Sequence, residues 1–245
     1  GAQRRVGYAL KGSGQLLRNL LLTDKVAWRE DIHEVDSLIS VLEAVDIDVP
    51  ADKRALESWV SDSELAKVKE TGLLDSTLAA NKKMVLIHAA AAHPDKLYPL
   101  ASWAKLIKRL HQELDLVPVF SGDKQDTALY QELAALSGLE SIALNFAGRL
   151  SLRESMALYS LMSLAVCVDS GPAHLCAAAQ VPTVAIFGPT DPVRWQPYGE
   201  RNAAVFDSTL PCRPCNYHKV CDNRECLTEL SPDQIFEKCL NVYLA

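Results

Sequence analysis

Leu164-Ala165-Val166-Cys167-Val168-Asp169-Ser170-Gly171-Pro172-Ala173-His174 is the stretch that decides the fold. Five successive apolar residues are too few for a helix and suit a strand buried on both faces. The acid, hydroxyl, glycine and proline that follow mark passage into a helix. Pro172 suits a first helical turn, and Gly171 lets another backbone or a ligand come close. The same strand-then-helix unit recurs on either side. Upstream, Met84-Val85-Leu86-Ile87 reads as a strand, and Trp103, Leu106, Ile107, Leu110 and Leu114 form one stripe of an amphipathic helix. Leu116-Val117-Pro118-Val119-Phe120 is the next strand, and a helix with Leu129, Leu133 and Leu136 stops at Gly138. Residues 141–146 read as a third strand, and Ser151 with Glu154 as the capping box of another helix. Downstream, a short helix over 172–180, a strand over 183–187 and a further strand over 203–206 complete the pattern. This alternation predicts right-handed β-α-β units and a doubly wound parallel sheet.

The surrounding chain sets bounds. Of 245 residues, 49% are hydrophobic and 23% charged, the balance of a folded protein rather than a disordered one. Lys and Arg number 25 against 31 Asp and Glu, a net charge of −6 without a basic run, which excludes broad nucleic-acid binding. No apolar stretch approaches the roughly 20 residues of a membrane span, and the candidates at 161–168 and 181–187 are broken by Asp169 and Pro182. Gly1-Ala2-Gln3-Arg4-Arg5 is not followed by the apolar core of a signal peptide. Residues 6–10 read as a single strand, Val35, Leu38, Ile39 and Leu42 as one helix, and 61–71 as a charged helix. One strand and some helices cannot close a sheet of their own. Residues 1–75 are therefore expected to be the closing part of one domain plus a linker, and 76–245 a complete second domain.

In a sheet of this kind ligands bind beyond the carboxyl ends of the strands. Three loops on that rim carry candidate residues. After the fourth strand, the amides of Ser170, Gly171 and Ala173 can face a diphosphate with the helix dipole behind them, and His174 can add a hydrogen bond or a charge. The plainer alternative is that Asp169 or Ser170 only caps the helix. Phe187-Gly188-Pro189-Thr190-Asp191-Pro192, with Trp195 and Pro197 beyond, is the second loop, or else a proline-rich turn. Residues 88–99, with Lys96 and Tyr98, are the third. Lys96 can meet a phosphate as a point charge or stand solvated. Asp123 and Asp126 both occupy the place where an acid meets a ribose hydroxyl. No G-x-G-x-x-G follows a strand, which disfavours a dinucleotide-dependent oxidoreductase.

Seven cysteines fall into two groups. Cys167, Cys176 and Cys239 lie in apolar surroundings and read as core residues. Cys212, Cys215, Cys221 and Cys226 form C-x2-C-x5-C-x4-C in a polar loop over 211–227. Four thiolates at this spacing can close a structural zinc or iron site, with His218 able to replace one ligand. The alternative is a set of reduced or redox-labile thiols. Without a secretion signal a disulfide framework is the weaker reading.

Asp-Ser-Gly-Pro-Ala-His-Leu at 169–175, Phe-Gly-Pro-Thr-Asp-Pro at 187–192 followed by Trp195, and Lys-Leu-Tyr-Pro at 96–99 resemble the heptosyltransferases, glycosyltransferase family nine. The resemblance covers nearly the whole chain, since Arg-Arg-Val-Gly-Tyr at 4–8, Leu-Leu-Leu-Thr at 20–23 and the helix at His33 look like the end of that family's N-terminal domain. It implies a GT-B fold of two Rossmann-like domains, the C-terminal one holding a nucleotide-sugar donor such as ADP-heptose. The N-terminal one would hold a lipopolysaccharide inner-core acceptor. It further implies inverting transfer without a required cofactor, in the cytoplasm and in peripheral contact with the inner membrane. By the same resemblance Lys96 looks like the lysine that stabilises the departing diphosphate. Asp169, Ser170, Gly171 and His174 resemble the residues around diphosphate and sugar, with Gly188 and Thr190 on the neighbouring loop.

Two departures stand out. Ala89-Ala90-Ala91-Ala92 stands where many members carry hydroxyls or glycine, and nothing matches the Asp expected as general base near the start of the acceptor domain. The chain is thus expected to bind donor nucleotide and to transfer sugar poorly. The competing readings are a non-catalytic nucleotide-binding or assembly module, and a relative using another nucleotide sugar or a protein acceptor.

Overall fold

The computed structural model describes residues 1–9, 16–217 and 221–245. It contains two compact units, residues 1–55 with 193–195, and residues 56–192 with 196–245. The first holds β1 (Val6–Ala9), α1 (Leu16–Leu21), β2 (Asp24–Ala27) and α2 (Glu34–Glu43). Its two strands pair in parallel, Val6 opposite Asp24 and Ala9 opposite Ala27. The sequence reading expected one strand here. β2 escapes notice because Asp24 and Lys25 open it and only every second residue is covered. α2 begins at His33, whose Nδ1 accepts the Val35 N–H at 3.1 Å. In the same unit Arg194 pairs with Glu34 and lies over the Trp28 ring, 4.1 Å from its centroid.

The second unit runs through α3 (Asp62–Glu70), α4 (Asp75–Ala79), β3 (Lys83–His88), α5 (Leu100–Leu114), β4 (Leu116–Phe120), α6 (Thr127–Ser137), β5 (Leu144–Asn145) and α7 (Leu152–Tyr159). It continues with β6 (Leu164–Val168), α8 (Gly171–Ala178), β7 (Thr183–Ile186), α9 (Pro192–Trp195, whose last three residues belong to the first unit), β8 (Asn202–Val205), α10 (Glu225–Thr228) and α11 (Pro232–Leu244). Among the described residues six strands form one sheet in the order β5-β4-β3-β6-β7-β8, and every pairing is parallel. This is the doubly wound α/β sheet that the alternating pattern predicts.

Strand alternation divides the core into two layers. Val85, Ile87, Val166 and Ile186 face the layer that includes Trp103, Leu106 and Leu110 of α5, with Ile235 and Cys239 of α11. Met84, Leu86, Ala165 and Cys167 face the other, with Leu158 of α7 and Cys176 of α8. The three cysteines read as core residues are therefore core residues. Each large apolar side chain sealed in this way contributes about 1.5–3 kcal/mol.

Two boundaries differ from expectation. The second unit starts at Leu56 rather than at residue 76. The reason is local: Val68 and Leu74 are fully buried against the Met84–Leu86 face, and Arg153 of α7 reaches Glu64 Oε1 and the Trp59 carbonyl, both at 2.6 Å. β5 covers Leu144–Asn145 rather than 141–146. After the left-handed Gly138, the amides of Ile142 and Ala143 both turn back to the Leu139 carbonyl, so they cannot join the ladder.

Strand order reverses between β3 and β6, the unit's first and fourth strands, which lie side by side and parallel. Connections leave them toward opposite sides of the sheet, and a crevice opens between the loops at their carboxyl ends.

Candidate functional site

A cleft of about 660 Å³ lies at that crevice. Asp169, the residue that follows β6, lines it. The Asp169 carboxylate is 5% exposed. Its Oδ2 accepts a hydrogen bond from Thr190 Oγ1 at 2.5 Å and meets Lys96 Nζ at 2.6 Å. A buried carboxylate is tolerable only when paired and hydrogen-bonded, and both conditions hold here. Lys96, on a 3-10 turn over Pro94–Lys96, has a side chain that is 21% exposed and lines the cleft. An ammonium has three donors, more than Asp169 uses.

The start of α8 forms the adjoining wall through Ser170, Gly171 and Pro172. Ser170 is the N-cap residue in extended conformation, yet its hydroxyl donates back to the Val168 carbonyl at 3.0 Å instead of capping the helix. Asp169 is committed to Lys96 and Thr190. The plain capping alternative therefore does not describe either side chain. A methyl group on Gly171 would meet nothing within 4 Å, so the cleft is open at that point. Of the three amides proposed from sequence, that of Ala173 is already bonded to the Ser170 carbonyl at 3.1 Å.

The opposite end is built under β4. The Ser121 carbonyl takes His88 Nδ1 at 2.7 Å and the Tyr130 hydroxyl at 2.9 Å, while Ser121 Oγ lies 3.0 Å from Tyr159 Oη. Burial pulls the His88 pKa below its ordinary value, against the opposing pull of the Ser121 carbonyl, and pushes those of both tyrosines up. All three groups are thus neutral near pH 7. Asp123 and Asp126 both line this end, and Asp126 Oδ2 accepts the Asp123 N–H at 2.8 Å. A methyl on Gly122 would lie 2.5 Å from that same Oδ2, so any side chain there displaces the Asp126 carboxylate.

Residues 1–226 match the sequence profile described as "Glycosyltransferase family 9 (heptosyltransferase)". The chain belongs to glycosyltransferase family 9. It is 27% identical over 169 residues to the lipooligosaccharide heptosyltransferase 2 of Campylobacter jejuni, covering 67% of this chain and 52% of that protein. The chain spans about half the length of the first such relatives. In fold it is similar to a family 9 glycosyl transferase from Veillonella parvula, with TM-score 0.77 and 21% identity over 93% of this chain and 65% of the other. It is likewise similar to E. coli ADP-heptose lps heptosyltransferase II, with TM-score 0.70 and 20% identity over 99% and 70%. The expected family and its GT-B type of parallel α/β fold are thereby met.

The residues carried over from family 9 motifs occupy different positions around the cleft. Lys96, Asp169, Ser170 and Gly171 line it. Thr190 stands behind, holding Asp169. Gly188 is a packing glycine, because a methyl there would come 2.9 Å from Leu227 Cδ1 and 3.1 Å from the Asp95 carbonyl. His174 is half-buried on α8 and is not among the described residues that line the cleft. Tyr98 is a core residue, its hydroxyl donating to the Leu230 carbonyl at 2.7 Å and its pKa pushed up to about 12 by burial.

Sequence reasoning missed Arg213. Its guanidinium donates to the carbonyls of Gly188 at 2.6 Å, Asp207 at 3.0 Å and Thr190 at 3.3 Å, and lies over the Phe206 ring. An arginine between two cysteines carries no periodic signal, so only the folded loop reveals its partner. The four loop cysteines line a second cavity of about 300 Å³ beside it. Cys212 and Cys221 are exposed, Cys215 is half-buried and Cys226 is buried, all as free thiols, with the Cys226 pKa raised by burial. Among the described residues no three His, Cys, Asp or Glu side chains gather closely enough to hold a metal ion, and His218 lies outside the described residues.

Proposed function

We propose that this chain supplies the donor-binding half of an inverting glycosyltransferase that moves heptose from ADP-heptose to a lipopolysaccharide core acceptor. What supports the reading is the Lys96–Asp169–Thr190 cluster beside the α8 N-terminus at the sheet's switch point, in a family 9 chain. In such a transfer an acceptor hydroxyl attacks the anomeric carbon while the diphosphate departs. Negative charge grows on the departing oxygens, where a preorganised cation and helix-start amides are most effective. Lys96 holds that position. The attacking hydroxyl must also lose a proton to a base, and no residue described in the cleft is assigned that role. The reaction belongs at the cytoplasmic face of the inner membrane, where nucleotide sugar and lipid-linked acceptor meet. Among the described residues no helix is long and apolar enough to cross a membrane.

Titration calorimetry with ADP tests the reading. The intact chain is expected to bind ADP, and Lys96→Ala to weaken binding by about tenfold or more. Absence of ADP binding by the unaltered protein would remove the donor-site reading. A preference for UDP would replace the donor with another nucleotide sugar. Sugar transfer by the chain alone is expected to stay near background, and robust turnover would overturn that part. The loop cysteines Cys212, Cys215, Cys221 and Cys226 do not gather as a metal site in the fold described above, and they are proposed to draw together around one structural zinc or iron ion when it binds. Their shared cavity supports this, and metal analysis reading near zero equivalents would sink it.

A further inference from the structure

Tyr217, in the cysteine-rich loop, is a residue that the motif reading did not consider. It lines the main cleft together with Lys96 and His93, although it lies 121 positions beyond Lys96 (217 − 96). Its hydroxyl oxygen is buried near the Lys96 side chain and makes no well-formed hydrogen bond to any described residue. Such orphans are uncommon in folded proteins, and one on a residue that lines a polar cleft points to a ligand atom. The ring is held in place by stacking on His93, with centroids 4.2 Å apart and planes tilted by 36°.

The backbone singles out the same residue. Asn216 and Tyr217 have φ of +46° and +63°, two successive non-glycine residues in the left-handed region. That conformation is strained for side chains with a Cβ and persists only where surrounding contacts impose it. Those contacts are present. The Asn216 N–H donates to the Pro189 carbonyl at 2.9 Å, Arg213 clasps the Gly188 and Thr190 carbonyls, and Arg224 donates to the Pro94 carbonyl at 2.8 Å. The loop is thus tied to the segments that carry Lys96 and Thr190, two of the three behind the Lys96–Asp169–Thr190 cluster, with Tyr217 between the ties.

We infer that the Tyr217 hydroxyl donates a hydrogen bond to a phosphate oxygen of a bound nucleoside diphosphate, beside Lys96. The inference rests on the donor-site reading above and names one further contact within it. Burial raises the Tyr217 pKa and the nearby Lys96 ammonium only partly offsets this, so the phenol keeps its proton at neutral pH. A neutral donor next to a lysine already paired with Asp169 adds hydrogen bonding to the site without adding charge.

The test is calorimetry on the full chain with ADP, AMP and adenosine as probes, comparing the unaltered protein with Tyr217→Phe and Tyr217→Ala. Phenylalanine keeps the ring and its stacking and removes only the oxygen. Tyr217→Phe is expected to weaken ADP binding about five- to tenfold and to leave adenosine binding unchanged. Tyr217→Ala, with an unchanged circular dichroism spectrum, is expected to weaken ADP at least as much. Equal ADP affinity for Tyr217→Phe and the unaltered chain overturns the inference and leaves the donor-site reading intact. Equal weakening of ADP and adenosine overturns it too, since the oxygen would then act away from the phosphates. Failure of the unaltered chain to bind ADP removes both readings at once.

Discussion

The two ends of the main cleft are built on opposite plans. At the β6 end, charged and hydroxyl side chains converge from far-separated loops: Lys96, Asp169 and Thr190 meet within 2.6 Å contacts, and Arg213 holds the last loop from outside. At the β4 end the buried polar groups are neutral and anchored in the core, with His88, Tyr130 and Tyr159 gathered around Ser121, while Asp123 and Asp126 line the rim. One end manages charge through loops, and the other fixes shape through the sheet. Loops carry variable chemistry on a rigid scaffold, and here both arrangements meet across one crevice.

The comparison predicts that variants at the β6 end cost more. Asp169→Ala leaves the Lys96 ammonium, mostly buried, without its counter-charge, and should lower stability by about 3 kcal/mol in urea unfolding. A loss below about 1 kcal/mol would mean that Lys96 swings out to water. Arg213→Ala strips donors from three carbonyls and should cost about 2 kcal/mol, together with a several-fold loss of ADP affinity. If affinity is untouched, the loop does not brace the site. At the other end, Tyr130→Phe removes one hydroxyl from the Ser121 carbonyl and should cost about 1 kcal/mol while leaving ADP affinity nearly unchanged. A larger effect on binding than on stability would reverse the contrast.

The smallest effect is on pH dependence. His88 has a folded pKa below its unfolded value of roughly 6.5. The unfolded chain therefore takes up the proton first. Stability linked to His88 is complete above about pH 6.5 and declines as pH falls toward the folded value. His88→Gln should flatten that part of a stability-pH curve, and an unchanged slope would show that the imidazole titrates alike in the folded and unfolded chain.

Much of this was legible in the residues. β4 and β6 match their apolar runs to the residue because strands buried on both faces have no polar positions to blur their ends. β2 was not legible, since an exposed two-stranded pair needs no apolar run. Lys96, Asp169, Ser170 and Gly171 could be assigned to one rim because parallel topology fixes which loops share an edge. Arg213 and Tyr217 could not, because nothing in local spacing tells where a loop returns. Gly188 and Thr190 were placed on the right loop, yet their work is to let Leu227 approach and to hold Asp169. Local sequence marks a glycine or threonine but not which neighbour it serves.

The pairing of Lys96 with Asp169 has a consequence for how long an anion stays. Together the two groups carry no net charge, so an arriving anion meets an oriented dipole rather than a bare cation. Attraction then falls off steeply with distance, and an anion that drifts outward is soon beyond its reach. A lysine alone at that depth would grip any phosphate it met. With its acid beside it, the site holds an anion less tightly than the lysine alone would.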